Sequence, residues 1–455
     1  MRLLPRRPPT DPSPARVQGH PPADEEFRAV IMAAAPAGEP DLVGVEHEYA
    51  VDTAGRQIPF RPLIHTLELG VRHLQPDDPH AYPIPSGAVL SADGNEALIA
   101  LPPALVAPGF SEASARTAER ERRSLIHRLG PAHGLRGHST RLSVRTLDFA
   151  GDWIAAVMAS RFAAPMMLLL DRATSPGLLI RPRSWRTQVE GEFIVGPQLS
   201  AALVFVAAAV RTSVAMGLSG EHRERELPKV RALVVPAAPH FGWYVDRSAF
   251  ACDLHGSGRA ARLRTVDGRT LSAQAVLENA WTVVRPAVAG SAGTEELHLV
   301  DGVVSGRLPL PLEGDMGPAG IDITPLRRGR GPGAAGDEAS DIGWLRPRHR
   351  AKVGVELAPV MITWETVVLL IVDEQRRRRA FAVIPRHLLT AALRLLDAGR
   401  LDGPISEYMR HSKGDRVLTS NAQTRQPGLF DSLPSRGALV PPEREPSEQG
   451  AFQLA

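Results

Sequence analysis

The segment VGVEHEYAV places Glu46 and Glu48 two residues apart in a run of strand-forming residues. Strand side chains alternate, so the two carboxylates share one face while Val45, His47, Tyr49 and Val51 share the other. Paired carboxylates suit a hard divalent cation; a lone Glu-x-Glu is more often a solvated strand face. Glu96 opens EALIALPP, a run apolar on both faces, where a carboxylate is costly unless paired or bound to a cation. The alternative is that Glu96 sits one residue before burial begins and is wet. In the segment RPRSWRTQVEGEFIV, Arg186, Gln188, Glu190 and Glu192 fall at even positions, with Val189, Phe193 and Val195 on the other side. Arg181 and Arg183 precede them, and planar guanidinium groups there suit a phosphate or carboxylate. A solvated arginine run is an equal alternative. In GHSTRLSVRT, Arg141, Ser143 and Arg145 share a face, Leu142 and Val144 oppose them, and His138 stands at the entrance.

These residues need strands to align them, and the surrounding pattern supplies strands interleaved with helices. The first strand turns at Asp52–Gly55 into RQIPF, and the second runs from Glu96 to Leu101, stopped by Pro102 and Pro103. Ser111 is expected to cap a helix ending at Gly130. Arg141–Thr146 is expected as a strand, Ile154–Leu170 as a helix, and the alanine-rich stretch Gln198–Met216 as another. A further helix over 270–288 is introduced by Ser272, and Val367–Ile384 suits a hairpin because of its β-branched residues. The tight opening hairpin favours an antiparallel sheet, and the class expected is α+β. Residues 1–40 and 421–455 are expected as a flexible proline-rich arm and a disordered tail. One main domain, 41–420, lies between them and carries a mobile Gly/Arg-rich loop over 313–346.

Bulk properties narrow the function. A net charge of +3 over 455 residues is too small for a phosphate-neutralising surface, so no nucleic-acid partner is expected. Lys229, Lys352 and Lys413 are the only lysines, and arginine supplies the other cations. A single cysteine, Cys252, excludes an intramolecular disulfide and a cysteine-rich zinc site. The apolar runs, such as Leu199–Val210, are shorter than the roughly 20 residues of a membrane span. No membrane partner is therefore expected, and the compartment reads as cytoplasmic. No HExxH, P-loop, GxSxG or dinucleotide fingerprint stands in a usable context.

Taken in order, GVEHEYAVD, NEALIALPP, GHSTRLSV and the RPRSWRTQVEGEF segment resemble the glutamate–cysteine ligase family of the glutamine-synthetase superfamily. The matching positions are Gly44, Glu46 and Glu48; Glu96 with Pro102 and Pro103; Gly137 and His138; and Arg183, Arg186 and Glu190. The resemblance spans residues 42–215. It implies a glutamine-synthetase-like catalytic domain, a curved antiparallel sheet with helices packed on its outer face. It also implies ATP with Mg2+ or Mn2+ as cofactors, with Glu46, Glu48, Glu96, Glu190 and Glu192 as metal ligands. His138, Arg141, Arg181 and Arg183 would bind nucleotide or substrate, and Arg186 and Glu190 would act in catalysis. The implied reaction is ATP-dependent carboxylate–amine ligation, forming a γ-glutamyl-type amide through an acyl phosphate from small-molecule acid and amine substrates. A homo-oligomer is compatible with this reading. Two departures stand out: the family places an arginine two residues after its last glutamate, where this chain has Glu192, and often a second histidine where this chain has Thr140 or Arg141. The first motivates an alternative, a non-catalytic binding or scaffold protein using Arg327–Arg330 as a docking segment. A phosphotransferase or hydrolase on the same sheet is a third reading.

Overall fold

The computed structural model describes residues 25–34, 41–67, 69, 80–84, 86–146, 151–170, 177–183, 185–219, 227, 230, 234–236, 242–246, 250, 252, 254–310, 349–350, 354–373, 378–402 and 417–418. The Gly/Arg-rich segment 313–346, with Arg327–Arg330, and the tail 421–455 lie outside the described residues.

The strands of the first half are β1 (Leu42–Thr53), β2 (Arg56–Ile58), β3 (Tyr82–Pro83), β4 (Val89–Asp93), β5 (Glu96–Ala100), β6 (Ala104–Leu105) and β7 (His133–Arg145). They are followed by β8 (Gly177–Arg183), β9 (Arg186–Glu192), β10 (Val234–Pro236) and β11 (Trp243–Asp246). Together they form one sheet in the order β10-β11-β8-β9-β7-β1-β5-β4-β3, with β2 and β6 also paired to β1, and every pairing is antiparallel. The antiparallel α+β class expected from the sequence is the one observed. β7 begins well before Arg141, because its register with β1 continues down to Thr53–His133.

Helices cover one face of this sheet. α1 (Glu25–Ala34) packs elsewhere; on this face α2 (Phe60–Ile64) comes first, then α3 (Phe110–Leu129), α4 (Gly151–Val157) and α5 (Ala163–Leu170), the last two joined through a π turn at Met158–Phe162. Pro165 has no N–H to donate into the preceding turn, a common cause of such local widening. α6 (Gly196–Ser219) is the central helix; Leu199 and Ala201 to Val210 are all fully or almost fully buried, as an all-round apolar helix must be. Gly151–Leu170 and Gly196–Gly217 are long and apolar enough to cross a membrane, which corrects the expectation drawn from run length. In the fold, 78% of each window is buried, so both serve as core helices. Val43, Val45, Tyr49 and Val51 of β1 pack into this helical core, at about 1.5–3 kcal/mol for each large apolar side chain removed from water. Gly44, Glu46 and Glu48 therefore face the other way.

Beyond α6 come α7 (Leu254–Ser257), a small hairpin of β12 (Arg262–Arg264) and β13 (Thr270–Ser272), α8 (Ala273–Val284) and α9 (Thr294–Val304). Ser272 caps α8 as expected, its side chain accepting from Ala275 N–H. α3 departs from expectation: Gly109 is its N-cap, and Ser111 instead donates to Glu296.

A second sheet was not foreseen as a separate layer. It consists of β14 (His349–Arg350), β15 (Val355–Ile362), β16 (Thr366–Asp373), β17 (Arg378–Pro385) and β18 (Val417–Leu418), in that order. The hairpin over 367–384 is its centre, and the strand bearing Glu356 joins this sheet rather than the carboxylate face. Both faces of β16 are buried. Val367, Leu369 and Ile371 meet α1 and α10 (Leu389–Asp397), while Val368 and Leu370 join Val89 of the first sheet. Phe27 and Ile31 of α1 are fully buried there, so the arm expected over 1–40 contains a packed helix. The second sheet thus covers one end of the polar face of the first.

Candidate functional site

Strand register brings the sequence-predicted residues into adjacent rows across β1, β7, β9 and β8. Glu46 lies opposite Arg141, Arg141 opposite Glu190, and Glu190 opposite Leu179. One row towards the sheet edge, Glu48 lies opposite Ser139 and Ser139 opposite Glu192. On the other side run Gly44, Ser143, Gln188 and Arg181, and beyond them Arg145, Arg186 and Arg183. The face therefore grades from an acidic half to a basic half.

Arg141 is the hub of the acidic half. Its Nη2 pairs with Glu48 and lies 3.0 Å from Asp93, its Nε is 3.3 Å from Glu190, and its Nη1 is 3.8 Å from Glu46. Arg181 also reaches Glu190, at 3.0 Å. Ser139 donates to the second oxygen of Glu48, and Gln188 Nε2 is 3.4 Å from Glu46. The carboxyls of Glu46 and Glu48 are pushed up from their ordinary 4.5, chiefly by burial, against the pull of Arg186 and Arg141 on Glu46 and of Arg141 on Glu48. Desolvation thus outweighs ion pairing at both positions.

The remaining predicted residues divide. Arg183 lies beside Arg181 and Arg186; burial, then those two cations, lowers its pKa. Arg186 turns towards the second sheet, donating to Glu365 at 2.6 Å with its guanidinium 5.2 Å from the Trp364 ring centre. Glu96 is not brought into the cluster: it accepts from Gln57 at 3.0 Å and from Asn95 N–H at 3.1 Å, closing its own hairpin turn. The register sets Leu98 and Ala100, not Glu96, opposite Glu48 and Glu46, and Glu96 beside Asp93 is taken up by Gln57 and by Asn95 of the turn. His138 is the extra residue of a β-bulge, where Glu48 pairs with Ser139 and Tyr49 with Gly137; it is exposed and makes no polar contact among the described residues. His47, on the opposite face, is buried between Tyr49 and Phe193, and burial lowers its pKa to about 3. It is a neutral core histidine.

Sequence reasoning missed Asp93, Ser139, Trp364 and Glu365. Asp93 had a signal, since Asp-Gly in SADGNE marks a hairpin turn that sets it beside a strand end. Ser139 shares the parity of Arg141. Trp364 and Glu365 come from a strand pair more than 150 residues away in sequence from the rows they touch, and no local pattern announces that.

The expected divalent ion does not fit the cluster in this arrangement. The position a cation would take among Glu46, Glu48, Glu190 and Asp93 is held by the Arg141 guanidinium, which contacts all four. No group of three or more His, Cys, Asp or Glu side chains among the described residues is arranged to hold a metal ion. What the arrangement offers chemically is a carboxylate nest neutralised from within, beside a row of arginines whose planar forks suit oxyanions.

No known family model matches the chain, and no curated protein matches it in sequence. Among solved structures, the chain is similar to the complex between the prokaryotic ubiquitin-like protein Pup and its ligase PafA. That likeness has a TM-score of 0.40 and 11% identity over 84% of this chain and 94% of that one. A structure described as a novel glutamine synthase homolog is similar at a TM-score of 0.25 and 12% identity, over 63% of this chain and 72% of that one. Neither is described as a glutamate–cysteine ligase, and at these scores and identities the likenesses assign neither family nor activity to the chain.

Proposed function

We propose that the polar face binds the reactants of an ATP-dependent carboxylate–amine ligation. The observation that supports this is the two-pole face itself. Arg181, Arg183 and Arg186 follow one another along β8 and β9 at the basic pole, and Glu46 and Glu190 flank Arg141 at the acidic one. Such a reaction handles anions and an amine side by side. Transfer of the γ-phosphoryl group turns the acid into an acyl phosphate and releases ADP. The amine then attacks the acyl carbon and phosphate leaves, and the amine's proton is lost to a base. Arginines suit the phosphoryl oxygens, and a carboxylate such as Glu190 suits the ammonium form of the amine and the proton it sheds. No step is routed through a metal ion, since the carboxylates here enclose Arg141.

That same enclosure favours a second reading, a non-catalytic anion-binding protein. Calorimetric titration of ATP, with and without Mg2+, on the wild type and on Glu46→Ala/Glu48→Ala, followed by ATP consumption with panels of acid and amine, separates the two. Ligation requires acid- and amine-dependent ADP release that the double variant abolishes. ATP binding without turnover under any pair supports the binding protein, and no ATP binding in either protein sinks the ligase reading.

A further inference from the structure

At the basic end of the polar face, the two sheets enclose a cavity of about 440 Å3 lined by Leu42, Arg145, Trp185, Trp364, Glu365, Arg386 and His387. Trp364 separates it from the carboxylate cluster. Its indole lies directly over Gly44, where an added Cβ would come within 2.9 Å of the ring, and Gly44 is one row from Glu46.

The walls of this cavity are basic. Arg145 stands directly opposite Arg186 in the β7–β9 pairing, an arrangement of like charges that costs stability by itself. Arg386 is buried; it donates to the carbonyls of Thr363 and Trp364 at 3.2 and 3.4 Å and lies 5.9 Å from the Trp364 ring centre. Burial, then the nearby charge of Arg145, pushes its pKa down to about 10, with Glu365 opposing. Among the described lining residues Glu365 is the one carboxylate, and it is engaged by Arg186.

The rim is aromatic. Trp185 is 57% exposed at the β8–β9 turn and has φ of +65°, a conformation that L residues other than glycine, asparagine and aspartate seldom adopt. An exposed indole held there, rather than a glycine, spends stability on presenting a large flat ring beside a basic cavity.

We propose that this cavity is a binding site for an oxyanion carried on a planar aromatic ring, with Arg145 and Arg386 taking the phosphate or carboxylate and Trp185 stacking on the ring. The site is distinct from the Arg141 cluster and stands whether or not that cluster supports ligation. Guanidinium forks give the anion bidentate contacts, and ring stacking adds selectivity for the aromatic carrier.

The test is calorimetric titration of the full chain with phenyl phosphate, benzoate and inorganic phosphate. The expected result is that phenyl phosphate or benzoate binds about tenfold more tightly than inorganic phosphate, the factor one aromatic contact supplies. Trp185→Gly relaxes the turn and should remove that preference while leaving phosphate binding intact. Arg145→Gln should weaken every probe that binds, and Glu96→Gln, in a turn outside both the cluster and the cavity, should change none of them. Tighter binding by the phosphate or by the carboxylate probe identifies the head group, and either supports the site. Binding of none of the probes, no aromatic preference, or binding left undiminished by Arg145→Gln overturns it.

Discussion

Glu296 and the glutamates around Arg141 are both largely withdrawn from water, and they are satisfied by different chemistry. Glu296 accepts from the N–H groups of Gly109, Ser111 and Gly293 at 2.7–2.8 Å and from the Ser111 hydroxyl at 2.5 Å. It thereby ties the N-terminus of α3 to that of α9. Burial works against its charge, yet the hydrogen bonds from Ser111, Gly293 and Gly109 hold its carboxyl below 4.5. Glu46 and Glu48 rely mainly on side-chain partners, and burial holds their carboxyls above 4.5. A carboxylate met by fixed backbone donors is a fastening. One held against its preference by a guanidinium that can be displaced or shared is the kind of group a ligand can use.

The sharpest way to break that comparison is Arg141→Ala. Leaving the cluster without its guanidinium should cost about 3–5 kcal/mol near neutral pH in urea denaturation, because the remaining carboxylates are partly buried and mutually repulsive. It should also open a place for a divalent ion, so that Mg2+ raises the melting temperature of the variant and leaves the wild type unmoved. An Mg2+ response in the wild type would show that the guanidinium does not hold the cation position. Glu296→Ala comes next, at about 2–3 kcal/mol, since it leaves several buried donors without an acceptor. No ion should rescue it.

Dependence on pH should separate the two centres by sign. The folded pKa values of Glu46 and Glu48 lie above 4.5, so their contribution is full below 4.5 and is lost as pH rises through the folded values. Glu46→Gln/Glu48→Gln should therefore gain stability relative to wild type as pH rises. Glu296 has a lowered pKa, so its contribution is full above 4.5 and is lost as pH falls through the folded value. Glu296→Gln should show its whole deficit near neutrality and a shrinking one in acid. Urea denaturation across pH 3–8 reads both slopes, and slopes of the same sign would remove the distinction. The smallest effect is expected for Glu96→Gln, within about 0.5 kcal/mol and without change in anion binding, because Glu96 closes a partly exposed turn outside the cluster.

Much of this site was legible from alternation. Glu46 with Glu48, Arg141 with Ser143 and Arg145, and Arg186 with Gln188, Glu190 and Glu192 each share a face because strand geometry has a period of two, and the structure keeps each set together. Glu96 was placed with them by the family resemblance, not by alternation, and the structure instead uses it to close its own turn. The second sheet was visible as a hairpin but not as a cover. Its residues alternate between two apolar environments, so the pattern of β16 reads as a continuous apolar run that names no partner.

By itself, then, the sequence determined the main strands of the polar face and the side on which their charged side chains stand, because backbone geometry is local. The tertiary structure decided which charges meet. Arg141 became the centre of the carboxylates, displacing the expected metal, because antiparallel register sets it between Glu46 and Glu190. Trp364 and Glu365 entered the polar face because two sheets distant in sequence bury Val89, Val368 and Leu370 against each other. Register and sheet packing are set by the burial of whole apolar surfaces, and no short motif records that free energy.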